Sequence, residues 1–124
     1  MDNEEEIFQI LNRNGVTIDK VLPIFLGDKS YYIEIMKNFI KENEIVKLHE
    51  CIRGNEYEAA LNHGYNLKAL TGTLGLSKAY QISQDLCVHI REKNLEAIHK
   101  EIGLIEHTYD CLKEIFADER YRES

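Results

Sequence analysis

Apolar residues recur at helical spacing along almost the whole chain, and no stretch alternates apolar and polar residues as a β-strand would. A first short apolar stripe ends at Asn14-Gly15, a pair suited to stopping a helix. Thr17 can cap a second short helix, which Gly27 closes. The pattern therefore predicts one or two short helices at the N-terminal end of the chain.

Four longer helical segments follow, and Asp28 stands where a side chain can cap the first of them. The segments cover about residues 28–53, 57–73, 77–93 and 95–116. Because the connections between them are short, successive helices can pack only as antiparallel neighbours. We therefore predict an all-α fold, an up-down-up-down four-helix bundle.

The chain is long enough for one bundle-sized core and too short for two ordinary domains. We predict a helical extension over residues 1–15, the bundle over 16–117, and a charged tail over 118–124 that frays. No repeat or low-complexity tract marks a linker.

Charge and hydropathy exclude several classes of partner. The formal net charge of -7 opposes binding to nucleic acid or to an anionic membrane surface, and no Lys/Arg stripe reverses it locally. The acidic first residues lack the features of a signal peptide, and no apolar run is long enough to span a bilayer. We expect a cytoplasmic protein, with a monomer favoured.

Cys51, Cys87 and Cys111 are an odd number and lie far apart, so the sequence predicts neither a disulfide framework nor a zinc site. We expect them to be reduced and mostly buried. The five histidines show no helical metal-binding pattern, and no nucleophile elbow, phosphate-binding glycine loop or paired-carboxylate motif occurs. The prediction is a protein without metal, cofactor or enzymatic activity.

The segment from Gly64 to Gly75 reads Gly-Tyr-Asn-Leu-Lys-Ala-Leu-Thr-Gly-Thr-Leu-Gly. It resembles the signature of histidine-phosphotransfer (HPt) domains, Ala-His-x-Leu-Lys-Gly followed after two residues by Gly, one further residue, an aliphatic residue and Gly. The positions that match are Leu67, Lys68, Gly72, Leu74 and Gly75. Tyr65 stands in place of the phosphoryl-accepting histidine, and Ala69 in place of the next glycine. The order of predicted elements over about residues 16–116 is also similar to that of the family.

The resemblance implies a role in bacterial two-component signalling, and Tyr65 changes what that role can be. A neutral imidazole, with a pKa of roughly 6.5, is nucleophilic at neutral pH and forms a phosphoramidate that can return its phosphoryl group to an aspartate. A phenol, with a pKa of about 10, provides little phenolate, and its phosphate ester is too stable for a relay. We therefore expect no phosphoryl acceptor at this position.

One face of the third long helix is the candidate partner-binding surface. At about 100° per residue, Leu61, Lys68, Ala69 and Gly72 fall within about 60° of Tyr65. Tyr65 is either an incidental exposed aromatic residue or a binding anchor. Lys68 would offset phosphoryl charge in a working family member and is otherwise a solvated lysine. Gly72 has no side chain and Ala69 only a methyl group, so a helix of another protein could approach closely here.

His63 points about 160° away from Tyr65, toward the apolar side that includes Leu67. We expect a structural, hydrogen-bonded histidine there, and keep it as a weak alternative phosphoryl acceptor.

The function that the sequence predicts is binding to a response-regulator receiver domain or a histidine kinase, without phosphotransfer. Two alternatives stay open. The first is an active phosphotransfer protein that uses another histidine, such as His63. The second is a helical interaction module or homodimer with no role in signalling.

Overall fold

The structure, a computed structural model, describes residues 3–117, and all its regular secondary structure is helical. The elements are α1 (Asn3–Arg13), α2 (Ile18–Val21), a 3-10 helix (Leu22–Phe25), α3 (Lys29–Glu42), α4 (Glu44–Arg53), α5 (Tyr57–Leu74), α6 (Ser77–Glu92) and α7 (Leu95–Phe116). The predicted all-α class is confirmed. The tail predicted to fray, residues 118–124, lies outside the described residues.

The first long segment is divided at Asn43, where a single helix was predicted. Asp28 caps α3 as expected, accepting a hydrogen bond from the Tyr31 amide at 3.0 Å. Asn43 has a φ of +45°, and it is both the C-cap residue of α3 and the N-cap residue of α4. Asparagine tolerates this left-handed conformation better than most residues, so the chain can change direction here without a glycine.

The longer helices enclose one apolar core. α5 packs against α4 and α6, α6 packs against α7, and α7 also contacts α3 and α4. Residues buried to 1% exposure or less occur on every one of these helices, and include Tyr32, Leu48, Leu67, Leu86 and Ile98. α1 joins the same core through the buried side chains of Ile7, Phe8 and Leu11.

The C-terminal end of α5 is fixed by the segment before α2. The Thr17 amide donates to the Gly75 carbonyl at 2.9 Å, and the Thr17 hydroxyl lies 3.2 Å from the same oxygen. Within the described chain, the Thr17 side chain makes no capping bond to α2, so its predicted role was wrong. Tyr32 on α3 donates its hydroxyl to the Leu74 carbonyl at 2.5 Å. Burial raises the pKa of Tyr32, which keeps this donor protonated.

Two glycines allow α5 and α6 to approach closely. A Cβ at Gly64 would lie 3.0 Å from the Cys87 Sγ, and one at Gly72 would lie 3.1 Å from the Tyr80 ring. Since Gly64 meets the later part of α6 and Gly72 meets its start, the two helices run antiparallel. This pairing brings the exposed face of α5 next to residues of α6.

Candidate functional site

The side chains of α5 divide into a buried side and an exposed side, as the helical wheel predicted. Leu67 and Leu74 are fully buried, whereas 42% of Tyr65 is exposed. Ala69 is exposed and Lys68 is half-buried. Tyr65 is therefore accessible from solvent.

An open groove runs beside Tyr65, between α5, the start of α6 and the 3-10 helix. It is lined by Ile24, Tyr65, Lys68, Ala69, Gly72, Thr73 and Tyr80. Four of the five predicted partner-binding residues thus lie together. Leu61, the fifth, is half-buried and packs against the core instead of lining the groove.

Gly72 also has a role in packing within the protein itself. The Tyr80 ring lies where a side chain at position 72 would begin, 3.1 Å from an added Cβ. Gly72 therefore makes room for the Tyr80 ring of the same protein, and it also lines the open groove. The Tyr80 hydroxyl is in turn within 3.3 Å of the Gln84 side-chain amide.

Tyr65 is held by Arg91 of α6, a residue that the sequence analysis did not identify. The Arg91 Nη2 donates to the Tyr65 hydroxyl at 2.7 Å, and the guanidinium carbon lies 5.5 Å from the centre of the tyrosine ring. This hydrogen bond raises the pKa of Arg91 above its usual value. We call the groove-lining residues together with Arg91 the Tyr65 face.

His63 lies beside Glu44, the first residue of α4, with its Nδ1 hydrogen-bonded to the Glu44 carboxylate. Glu44 is only 8% exposed, and it also accepts a hydrogen bond from the Asn66 side chain at 3.2 Å. Burial acts to raise the pKa of Glu44, but the hydrogen bonds from His63 and Asn66 outweigh it and leave that pKa below its usual value. The pair connects α4 to α5.

A second histidine–glutamate pair connects α6 to α7. His89 Nδ1 lies 2.8 Å from both carboxylate oxygens of Glu101, and Glu101 is 9% exposed. The hydrogen bond to Glu101 raises the pKa of His89 above its usual value. The sequence analysis found neither pair, because each joins residues of two different helices.

The His89–Glu101 pair predicts a pH-dependent contribution to stability. The pKa of His89 is higher in the folded state than in the unfolded state. The pair therefore contributes fully to the free energy of unfolding below the unfolded-state pKa of about 6.5, and this contribution is lost as pH rises through the folded-state pKa. The loss in free energy of unfolding caused by Glu101→Gln should therefore be larger at about pH 5.5 than at about pH 8.5. Urea denaturation of wild type and Glu101→Gln at the two pH values measures this loss.

The matched control for this experiment is Glu106→Gln, which removes an exposed carboxylate from the same helix. Its effect should be small and nearly independent of pH over this range. Equal losses for Glu101→Gln at both pH values would contradict the assigned role of His89. Glu44 does not affect this comparison. Because its pKa is lowered, its contribution to the free energy of unfolding changes only below about pH 4.5.

The three thiols differ in accessibility. Cys87 is buried, Cys51 is half-buried and Cys111 is exposed, so the expectation of mostly buried thiols was wrong for Cys111. Burial raises the pKa of Cys87 and of Cys51. The Cys111 Sγ lies 3.5 Å from His107 Nε2 on the same helix.

Within residues 3–117, no three His, Cys, Asp or Glu side chains are grouped so that they could hold a metal ion. None of the helices in that range is both long and apolar enough to cross a membrane.

Comparison with known proteins gives no relative for this chain. No family model, no curated protein and no solved structure matches it.

Proposed function

We propose that this chain is an HPt-like protein of two-component signalling that binds a response-regulator receiver domain, or a histidine kinase, on the Tyr65 face. It would act in the cytoplasm as a monomer, with α3 and α4 together forming the first helix of an up-down-up-down bundle and α5, α6 and α7 the others. The observation that carries the proposal is the exposure of Tyr65 beside an open groove, at the signature position of the acceptor histidine.

The chemistry around Tyr65 favours binding over phosphotransfer. A nucleophilic phenol needs a base to take its proton, but the side chain bonded to the Tyr65 hydroxyl is Arg91. A guanidinium has five N–H donors and no acceptor, and it stays protonated at physiological pH, so it cannot serve as that base. Tyr65 is therefore proposed as a binding residue that carries no phosphoryl group.

The Tyr65 face has the composition of a docking surface. Two tyrosine rings and 62%-exposed Ile24 provide apolar and aromatic area, which is typical of binding hot spots. Ala69 lines the same groove with a small side chain that a partner can approach closely. Lys68 and Arg91 add positive charge beside Tyr65, which would favour a partner that carries an acidic or phosphorylated group.

The proposal predicts that a bulky charge at Ala69 abolishes receiver binding. Ala69 is exposed, so Ala69→Arg should leave the fold intact while placing a long side chain across the Tyr65 face. Binding to the receiver domains of the source organism, measured by calorimetry, should weaken by at least about a hundredfold. The control is Gln9→Arg, which adds the same charge at an exposed position of α1. If both variants bound a receiver as wild type does, the Tyr65 face would not be the docking site.

A second candidate function rests on His63. Because its Nδ1 bonds to Glu44, its Nε2 is the ring nitrogen left to act as a nucleophile. The Glu44 carboxylate next to the ring would, however, repel an incoming phosphoryl group. An acid-labile phosphorylated species that forms with acetyl phosphate and is lost in His63→Gln would favour this candidate over the first.

A further inference from the structure

The Tyr65 face is locally positive on a chain whose formal net charge is -7. Lys68 lies in the groove, and Arg91 lies at Tyr65. Since Lys68 and Tyr65 line the same groove and Arg91 is bonded to Tyr65, both cations lie on the Tyr65 side of the α5–α6 pair. Of the described residues that line the groove, none is acidic. A partner seated here would meet two cations with no carboxylate in the groove to neutralise them.

Tyr65 gives Arg91 a defined position. The Tyr65 hydroxyl accepts one of the Arg91 N–H groups, and the guanidinium carbon lies 5.5 Å from the ring centre. The contact with Tyr65 uses one of five donors, so the other N–H groups can serve a ligand. An arginine that is already oriented loses less side-chain entropy when it binds, and its planar fork matches the oxygens of a phosphoryl group.

We propose that the Tyr65 face distinguishes the phosphorylated from the unphosphorylated receiver domain, with Arg91 as the residue that determines this specificity and Lys68 as its partner cation. This inference rests on the proposed function. The aspartyl phosphate of the receiver carries more negative charge than the free aspartate, and its oxygens can accept hydrogen bonds from the guanidinium. Tyr65 is then a positioning residue for Arg91. The protein would hold an activated regulator without removing its phosphoryl group.

The test compares receiver binding in the two states of the regulator. Receiver domains of the source organism are titrated with the full chain in the presence and absence of beryllium fluoride, which forms a stable mimic of the aspartyl phosphate. Wild type should bind the activated receiver about tenfold more tightly than the unactivated one. Arg91→Gln should reduce that ratio to about twofold or less. Tyr65→Phe keeps the ring and removes the acceptor for Arg91, so its ratio should lie between those of wild type and Arg91→Gln.

The matched control is Arg53→Gln, which removes an exposed arginine at the end of α4 and should keep the wild-type ratio. Equal affinity of wild type for the two receiver states, or an unchanged ratio in Arg91→Gln, would overturn this inference and leave the proposed function standing. Failure of wild type to bind any receiver in either state would overturn the proposed function, and this inference with it.

Discussion

Replacing Gly75 by alanine is expected to lower the free energy of unfolding by about 3 kcal/mol. Gly75 has a φ of +77°, a conformation that costs a residue with a Cβ about 1 to 2 kcal/mol. The added Cβ would also lie 2.9 Å from the Thr17 carbonyl oxygen, which is backbone and cannot rotate away. The segment around Thr17 must therefore move, which weakens its hydrogen bond to Gly75 and disturbs the end of α5.

Gly15→Ala is the matched control for this prediction. Gly15 has a similar φ of +84°, but nothing lies within 4 Å of its added Cβ. Both variants therefore have the backbone strain and the loss of unfolded-state entropy. Only Gly75→Ala adds a steric clash, between the new Cβ and the Thr17 carbonyl oxygen. Urea denaturation should show a loss of about 1 kcal/mol for Gly15→Ala. Equal losses for the two variants would contradict the contact between Thr17 and Gly75.

Replacing Tyr65 by histidine is expected to create a phosphoryl acceptor. The new imidazole would occupy an exposed position between Lys68 and Arg91, whose charges disfavour its protonation and attract the phosphoryl group. A neutral imidazole there has the nucleophilic nitrogen that tyrosine lacks. With a phosphorylated receiver domain as donor, the variant should acquire an acid-labile, base-stable label, whereas wild type stays unlabelled.

Two further variants define the site of labelling in this experiment. Tyr65→Phe should remain unlabelled, because it has no nucleophile at the position. The double variant Tyr65→His with His63→Gln should be labelled as strongly as Tyr65→His alone. Loss of label in the double variant would assign the phosphoryl group to His63 and contradict the prediction for position 65.

The all-α class and most helix boundaries could be predicted because helix periodicity and capping are local properties of the sequence. Asp28 caps α3 where its residue type indicated, and α5 ends at Leu74, one residue beyond the predicted segment. The break at Asn43 was not predicted, because the apolar pattern continues through it from α3 into α4 and no glycine or proline marks it.

The candidate site was predicted on one helix only. The wheel correctly placed Tyr65 and Ala69 on the exposed side of α5, because a helix fixes the directions of its own side chains. It could not supply Arg91, 26 residues farther along the chain, or Ile24 from the 3-10 helix. Pairing α5 with α6 as an antiparallel hairpin about Gly75 would have brought the end of α6 opposite Tyr65, and this is the signal that could have found Arg91.

Gly72 illustrates why a single helix is not enough to assign a role. Viewed on α5 alone, a glycine beside Tyr65 predicts a low surface that is open to a partner. In the fold, a Cβ at residue 72 would lie 3.1 Å from the Tyr80 ring, so Gly72 also allows α6 to pack closely on α5. Glu44 is a similar case, since its burial and its bond to His63 depend on how α4 packs on α5.

The central claim is that the Tyr65 face binds a receiver domain and does not take its phosphoryl group. The most direct measurement is a titration of the wild-type chain with receiver domains of the source organism that carry a radiolabelled phosphoryl group, following complex formation and label in the same samples. The account predicts a complex in which all of the label stays on the receiver. Label on the wild-type chain, or no complex with any receiver, would contradict it.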